Sequence, residues 1–513
     1  MSEHDLVLRG ARTIDPETSL DAVCDVAIDG STIAAVAVGG SAELHGAREL
    51  DVTGLVLAPG FIDLHSHCRD FPSRALQVCD GVTTALELEA GQIDVAGMYA
   101  SVDAEGSLNH YGFSASWALE RMAACGLDVS SGLDAFFTHI NAADWHRALS
   151  KSETSAMLDG LRASLAEGAL GIGVLLGYCQ ESTAAEYLDV AQLAADERTV
   201  TYTHVRELSR PDSGLFGAAE VVTAALATGA HMHLCHINST STRHVDRVHA
   251  LLQRGRDQGL RITTEAYPYG AGCTGIGAAF LAPENLINSA VSPGDIRYLP
   301  TGEQVGSVER LRELRAIDPG GLAVIDFLHE TDPADLGFLT RAFLAPDTAV
   351  ASDAMPLVVP KSHGNASAGW PIASDVLTHP RTAGTFSRIL RWYVRELRII
   401  DLPEAIRRCT LVPADILRDV APGMARKGRI QVGADADLVV FDADTVTDRA
   451  TYDAPTLTSE GIRHVLVAGT SVVTDGMLDT EARPGRPVRA RPSAGAATAT
   501  DERLKAPSRS HWD

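Results

Sequence analysis

The sequence is short of lysine, of net positive charge and of long apolar runs. Its 513 residues carry 43 Lys and Arg against 67 Asp and Glu, a net charge of −24. Because phosphate neutralisation needs clustered basic side chains, this balance argues against a nucleic-acid partner and favours a small molecule. No run of about 18 apolar residues occurs and the first residues lack a signal-peptide pattern, so we expect no membrane span and a cytoplasmic location.

Cysteine is scattered rather than patterned. The eight cysteines form no CxxC pair and no dense framework, so we expect reduced thiols and no disulfides. The sequence also lacks a GxSxG segment, which disfavours a serine nucleophile, and Cys235 is interpreted as a packed strand residue. The chemistry must therefore come from other side chains.

The two ends of the chain share a pattern of short apolar strands interrupted by glycine and aspartate. Residues 1–58 and 426–482 both show it, and the N-terminal block is too small to fold alone, so we predict that they pair into one composite β-sandwich. Residues 59–425 alternate apolar strands with helical stretches such as TSAMLDGLRASLAEGA. This α/β rhythm predicts a catalytic TIM (β/α)8-type barrel, with functional residues at the carboxyl ends of its strands.

Two segments depart from the barrel pattern. Residues 280–345 are rich in turns and acidic helices, and we predict that they form an insertion between late barrel strands, a candidate lid. Residues 483–513 are rich in Pro, Ala, Ser and Arg with almost no aliphatic bulk, which predicts a disordered tail or a strand-swapped arm without a catalytic role.

The first candidate site follows an apolar strand that begins at Gly60. His65 and His67 come at its end, and alternate strand residues share a face, so both imidazoles can reach one metal ion. A lone histidine would more often be structural, but this pair favours zinc. Asp63 is expected to point the same way and to support the site from below.

Three more candidates lie at later strand ends. His204 ends the segment TYTH, and His236 is the last histidine of HMHLCH, in which His231 and His233 are expected to be structural. Asp353 follows a short apolar strand and enters a loop. A carboxylate in that position can hold a metal ion or act as a general base.

The order HxH, His, His, Asp along a barrel resembles the amidohydrolase superfamily. Longer strings are similar to its D-aminoacylase (N-acyl-D-amino-acid deacylase) branch, from about Asp5 to Gly476: GALGIGVLLGY, YTHVREL, HLCHIN, EAYPYGAGCT, ASDAMP and KGRIQVGADADLVVFD. The resemblance implies a metal-dependent hydrolase of a non-peptide C–N (amide) bond. The implied substrate is an N-acyl amino acid of the D-type or a related carboxylate-bearing amide.

The resemblance also implies roles for the histidines and the aspartate. His65 and His67 would bind one Zn2+, and His204 and His236 a second, so the chain would hold one or two zinc ions. Asp353 would be both a metal ligand and the general base that returns its proton to the leaving nitrogen.

One ligand of the family is missing. The family's bridging cysteine matches Ala90, which has no donor atom. We predict that Glu89 takes its place, with Glu87, on the same face but about 7 Å deeper, as the alternative. If both instead pair with cations or bind substrate, a single zinc remains. A carboxylate ligand would also admit Mn2+ or Co2+, whereas a carboxylated-lysine bridge is disfavoured in a chain so poor in lysine.

The substrate-binding residues implied by the family match only in part. Arg381, Tyr178 and Tyr267 match a family arginine and two pocket tyrosines, and Arg381 would meet a substrate carboxylate. The family lysine assigned to the same carboxylate matches Asn238, which also enters the predicted substrate-binding set.

Two alternatives remain open at this point. The same site would suit a hydrolase of cyclic amides or isoaspartyl dipeptides. A protein of another class, a catalytically inactive metal-binding barrel with a structural or interaction role, would keep the same fold. The sequence leaves open the acyl group, the stereochemistry and the oligomeric state.

Overall fold

The computed structural model describes residues 3–40, 43–206, 213–363 and 368–491. The N-terminal strands are β1 His4–Asp15, β2 Leu20–Asp29, β3 Thr32–Val38, β4 Gly46–Asp51 and β5 Val56–Pro59. Next come β6 Phe61–Asp63, β7 Val82–Gln92, β8 His110–Ser116, β9 Ile172–Leu175, β10 Val200–His204, β11 His231–Leu234 and β12 Ile262–Ala266. The remaining strands are β13 Ala271–Gly275, β14 Ile296–Tyr298, β15 Glu303–Gln304, β16 Leu322–Asp326, β17 Thr348–Val350, β18 Leu438–Phe441, β19 Ile462–Val467, β20 Thr470–Thr474 and β21 Met477–Leu478.

Helices alternate with these strands. The first eight are α1 Phe71–Cys79, α2 Val95–Glu105, α3 Trp117–Ala124, α4 Leu133–His139, α5 Lys151–Ala166, α6 Ala184–Asp196, α7 Ser213–Thr228 and α8 Ile237–Ser241. The others are α9 Val245–Asp257, α10 Leu286–Ser289, α11 Val308–Ile317, α12 Pro333–Arg341, α13 Arg381–Arg388, α14 Leu402–Cys409 and α15 Leu411–Leu417. Among the described helices, none combines the length and apolar character that a membrane crossing requires.

Eight parallel strands form the barrel, in the order β6, β7, β8, β9, β10, β11, β12, β17. Every residue of β7 is buried, as expected for a parallel strand covered on both faces. A parallel bridge between Ser66 and Ala354 joins the two outermost strands just beyond their carboxyl ends. The predicted TIM-type barrel is confirmed.

Strands from both chain ends make one mixed nine-stranded sheet. At its junction β5 pairs in parallel with β1 and antiparallel with β18. Leu8, Val26 and Leu57 from the N-terminal end pack with Leu438 and Leu466 from the C-terminal end in one apolar cluster. Each end supplies part of the core of the other, so we expect neither segment to fold alone.

The insertion lies between β12 and β17 and has its own four-stranded sheet, in the order β13, β16, β14, β15. It starts with β13 at Ala271, earlier than the predicted residue 280. The strand AGCTG lacks a β-branched apolar pattern, and its pairing with the distant β16 makes it extended.

Residues 483–491, for which the sequence predicts a disordered tail or a strand-swapped arm, lie against the barrel of the same chain. Val488 is buried, its N–H donates to Tyr111 O at 2.7 Å, and its carbonyl accepts from the Tyr99 hydroxyl at 2.6 Å. Ala490 N donates to Gly168 O, and Arg491 N to Val420 O. Backbone hydrogen bonds and one apolar side chain fasten this segment to the barrel, and composition cannot reveal such contacts. Residues 492–513 of the predicted tail lie outside the described residues.

Candidate metal centre and active site

The barrel gathers the predicted metal ligands at the carboxyl ends of its strands. Six buried side chains meet there: His65, His67, Glu89, His204, His236 and Asp353. His236 and Asp353 have φ values of 30° and 51°, in the left-handed region that L side chains rarely adopt. Such backbone strain persists where the surrounding structure enforces it, and it is concentrated at functional sites.

Glu89 lies at the centre of this cluster. Its Oε1 is 2.7 Å from His236 Nε2 and 3.0 Å from His204 Nδ1. Its Oε2 is 3.2 Å from His65 Nε2 and 3.8 Å from His67 Nε2. Each carboxylate oxygen therefore faces one pair of histidines, which is the arrangement that a carboxylate bridging two cations needs.

Asp353 faces the same cluster from the loop after β17. Its Oδ1 is 3.4 Å from Nε2 of both His65 and His67, and its Oδ2 pairs with Arg381 Nη2 at 2.9 Å. Burial raises the pKa of the Asp353 carboxyl, but the charges of Arg381 and His65 outweigh burial and hold that pKa below its ordinary value. Asp353 is thus an anion with one oxygen fixed and the other directed at the cluster.

The cluster is strongly attractive to positive charge. Burial lowers the pKa of the His65 imidazole, yet the carboxylates of Glu89, Asp353 and Glu265 outweigh it and raise that pKa well above its ordinary value. Burial raises the pKa of Glu89, and the imidazoles around it reverse the shift to well below the ordinary value. The same field that favours a proton on His65 favours a cation among these groups.

Two further carboxylates hold the outer nitrogens of the first histidine pair. Glu265, on β12, is 2.6 Å from His65 Nδ1 and 3.2 Å from His233 Nε2. Glu87 Oε2 is 2.8 Å from His67 Nδ1, so this alternative bridging residue contacts the nitrogen that points away from the cluster. These contacts direct Nε2 of both rings inward.

Other contacts fix the backbone around the cluster. Asp63 accepts from His65 N at 3.2 Å and from Ser352 N at 2.9 Å, so it joins the first strand of the barrel to the loop that carries the aspartate. Ser239 Oγ is 2.9 Å from His236 Nδ1. Asp63 therefore supports the site, as expected, but it does so by holding the backbone of His65 and Ser352 rather than a histidine ring.

Glu265 is the residue of this site that sequence reasoning missed. It lies 200 positions from His65, and the string EAYPY was used only for its family resemblance. A usable signal was present, because a carboxylate near the end of a predicted barrel strand, here ITTEA, must be paired or hydrogen-bonded once it is buried.

We expect Glu265→Ala to weaken metal binding by about 10- to 100-fold, because His65 loses the acceptor that fixes its ring. Titration of the metal-free protein against a chelator of known affinity measures this change, with thermal melting recorded in parallel. Glu265→Gln keeps an acceptor oxygen for His65 Nδ1 and is expected to recover most of the affinity. An alanine variant with unchanged metal affinity would contradict the positioning role.

The cluster forms the floor of a cleft of about 830 Å3, its open mouth included. Tyr178 and Tyr267, two of the predicted substrate contacts, line this cleft. The Tyr178 hydroxyl is 2.8 Å from Thr274 Oγ1. Arg381 is buried behind Asp353, with its guanidinium carbon 4.7 Å from the centre of the Tyr267 ring.

Asn238 does not belong to the described lining of this cleft. Its Oδ1 accepts from Tyr267 N at 3.2 Å, and its Nδ2 donates to Tyr269 O at 3.4 Å. The side chain is 1% exposed. At the position of the family lysine, this residue thus ties α8 to the loop that follows β12.

Comparisons with known proteins agree with this geometry. The model of the amidohydrolase family matches residues 48–473. The chain belongs to the amidohydrolase family. The N-acyl-D-glutamate deacylase of Alcaligenes xylosoxydans xylosoxydans is 30% identical, over 94% of this chain and 96% of that protein, and the D-aminoacylase of the same organism is 27% identical, over 91% and 94%.

A solved relative extends the comparison to structure. The N-acyl-D-glutamate deacylase of Bordetella bronchiseptica, crystallised with zinc and a phosphonate inhibitor that mimics the tetrahedral intermediate, has a TM-score of 0.74 and 28% identity. The alignment covers 95% of this amidohydrolase and all of that chain. The predicted superfamily and D-aminoacylase branch are confirmed, and this amidohydrolase is a metal-dependent hydrolase of that group.

Proposed function

We propose that this amidohydrolase holds one or two zinc ions in the buried cluster. One set of donors is His204, His236 and Glu89, and a second is His65, His67 and Glu89. The donor atoms of each set lie within 4.8 Å of one another. Imidazole nitrogens and carboxylate oxygens are ordinary zinc ligands, and the residues present therefore fit the ion. Mn2+ and Co2+ suit the same donors.

We also propose that the enzyme deacylates N-acyl D-amino acids. The observation that carries this proposal is the Asp353 carboxylate, which faces the proposed metal donors at the floor of the cleft. The named activities of the D-aminoacylase relatives support the substrate class. Arg381, with Tyr178 and Tyr267, would receive the substrate carboxylate, while Asn238, the fourth predicted contact, would act only by holding the loop of Tyr267.

The reaction needs no nucleophilic side chain. A bound zinc ion supplies Lewis-acid chemistry, which polarises a carbonyl and acidifies water. Asp353 accepts the proton of the attacking water at Oδ1, while its Oδ2 stays paired with Arg381. The protonated carboxyl then returns that proton to the leaving nitrogen, so one group serves as base and acid in turn.

A substrate screen tests the proposal. Zinc-loaded protein is expected to hydrolyse an N-acetyl D-amino acid and to leave its L enantiomer almost untouched, measured by release of the free amino acid. Isoaspartyl dipeptides and cyclic amides belong in the same screen. Turnover of either of those, with none of the N-acyl amino acids, would overturn the deacylase proposal. A full complement of zinc without turnover of any member would favour the catalytically inactive barrel.

A further inference from the structure

The walls of the cleft above the metal donors are mainly apolar. Phe136 comes from α4, Phe280 and Leu281 from the insertion, and Ile325 and Phe327 from β16 and the residue after it. Each of these side chains is at most 7% exposed. A substrate group that enters the cleft therefore exchanges water for aromatic and aliphatic surface on several sides.

None of the described residues that line the cleft is a lysine or an arginine. The nearby Arg381 is buried behind Asp353, and its Nη2 is already paired with that carboxylate. Arg206, which follows the metal-binding strand β10, directs Nε and Nη2 to Glu220 at 3.1 and 3.2 Å. Asn238, at the position of the family lysine, is neutral and tied to backbone. Arg381, which contacts Asp353, is thus the described cation that we assign to the substrate carboxylate. Arg69, whose Nε and Nη2 have no hydrogen-bond partner among the described residues, likewise lies outside the described lining.

A second carboxylate on the substrate would meet no cationic side chain in the described walls, and the lining hydroxyls of Thr274 and Ser239 are already bonded to Tyr178 and His236. An ionised carboxylate without a hydrogen-bonding or charged partner is far more costly to bury than an apolar group of the same size. An enzyme therefore discriminates strongly against a substrate whose buried charge finds no partner in the site.

We infer that the substrate side chain that occupies this cleft is uncharged and apolar, so the enzyme acts on N-acyl derivatives of apolar amino acids and rejects those of glutamate and aspartate. The inference rests on the proposed deacylase function. It separates this chain from the N-acyl-D-glutamate deacylases, to which it is 30% and 28% identical. Overall similarity to those relatives would suggest the opposite preference.

Two substrates of equal length test it on the unmodified, zinc-loaded enzyme. N-acetyl-D-methionine and N-acetyl-D-glutamate differ mainly in charge, and kcat/KM is expected to be at least about 100-fold higher for methionine. N-acetyl-D-glutamine, which is neutral and polar, is expected to fall between them. Equal or faster turnover of glutamate would overturn the inference while leaving the deacylase function intact. If none of the three substrates is hydrolysed, the proposed deacylase function is overturned instead.

A charge placed in the wall gives an independent test. Ile325→Arg is expected to raise the ratio of kcat/KM for glutamate over methionine by at least about 10-fold, because the new guanidinium pairs with the second carboxylate. Ile325→Met alters the same wall without charge and is expected to keep the preference for methionine. A folded arginine variant with an unchanged ratio would overturn the assignment of this wall. If that variant does not fold, the comparison of substrates on the unmodified enzyme still decides.

Discussion

Asp353→Asn is expected to lower kcat by about 100- to 10,000-fold, the range that a positioned general base contributes. The asparagine side chain has nearly the same shape, but it cannot accept the proton of water at neutral pH. The four histidines and Glu89 remain as donors, so most of the metal should be retained. Steady-state kinetics on the best substrate, together with elemental analysis of the same preparation, measures both quantities.

This substitution needs a control for stability, because it leaves the buried guanidinium of Arg381 without its charged partner. Arg381 is 1% exposed and loses the charge of its partner, so some loss of stability is expected alongside the loss of activity. Thermal melting of the asparagine variant separates the two effects, because a folded, metal-loaded and inactive protein isolates the role of the base. A folded, metal-loaded variant that keeps more than a tenth of the wild-type kcat would contradict the role of Asp353.

Strand-end positions explain why the sequence alone predicts that these side chains converge. All parallel strands of a barrel present their carboxyl ends to one face, so histidines at the ends of β6, β10 and β11 must converge whatever the loops between them do. The prediction that His65 and His67 face the same site required only that alternate residues of a strand share a face. The position of Glu89, one residue before the missing cysteine, followed from the same argument.

The contacts that the sequence did not predict depend on side-chain direction and on distant neighbours. Glu265 contacts His65 only because the closing of the barrel brings β12 and β6 to the same interior. Asn238 matches a family position, but its amide turns to the backbone at Tyr267 and Tyr269 instead of the cleft. Val488 was assigned to a tail because one buried side chain in a polar segment gives no periodic pattern.

Glu89→Ala is expected to lower metal affinity by more than about 100-fold, beyond the loss typical of a residue that only orients a ligand. Both carboxylate oxygens are lost from the centre of the cluster, where they lie 2.7 Å from His236 Nε2 and 3.2 Å from His65 Nε2. Metal content by elemental analysis and kcat should therefore fall together. Glu87→Ala is the matched control, since that carboxylate contacts the outer nitrogen of His67 and the Ala90 N–H and none of the inward-facing nitrogens, and we expect a smaller loss.

Replacing Glu89 with a different donor tests the bridging role more sharply than removing it. Glu89→Cys would replace hard oxygen with soft thiolate, so zinc binding should recover in part while Mn2+ and Co2+ support less activity than they do in the glutamate enzyme. Glu89→Gln keeps the shape but loses the charge that offsets two cations, and we expect it to resemble the alanine variant in metal content. An alanine variant with full metal content would show that the histidines and Asp353 suffice, and the bridge assigned to Glu89 would then be wrong. If instead metal is lost and the thiolate restores zinc selectively, the carboxylate performs in this chain the task that the family resemblance assigns to a cysteine at position 90.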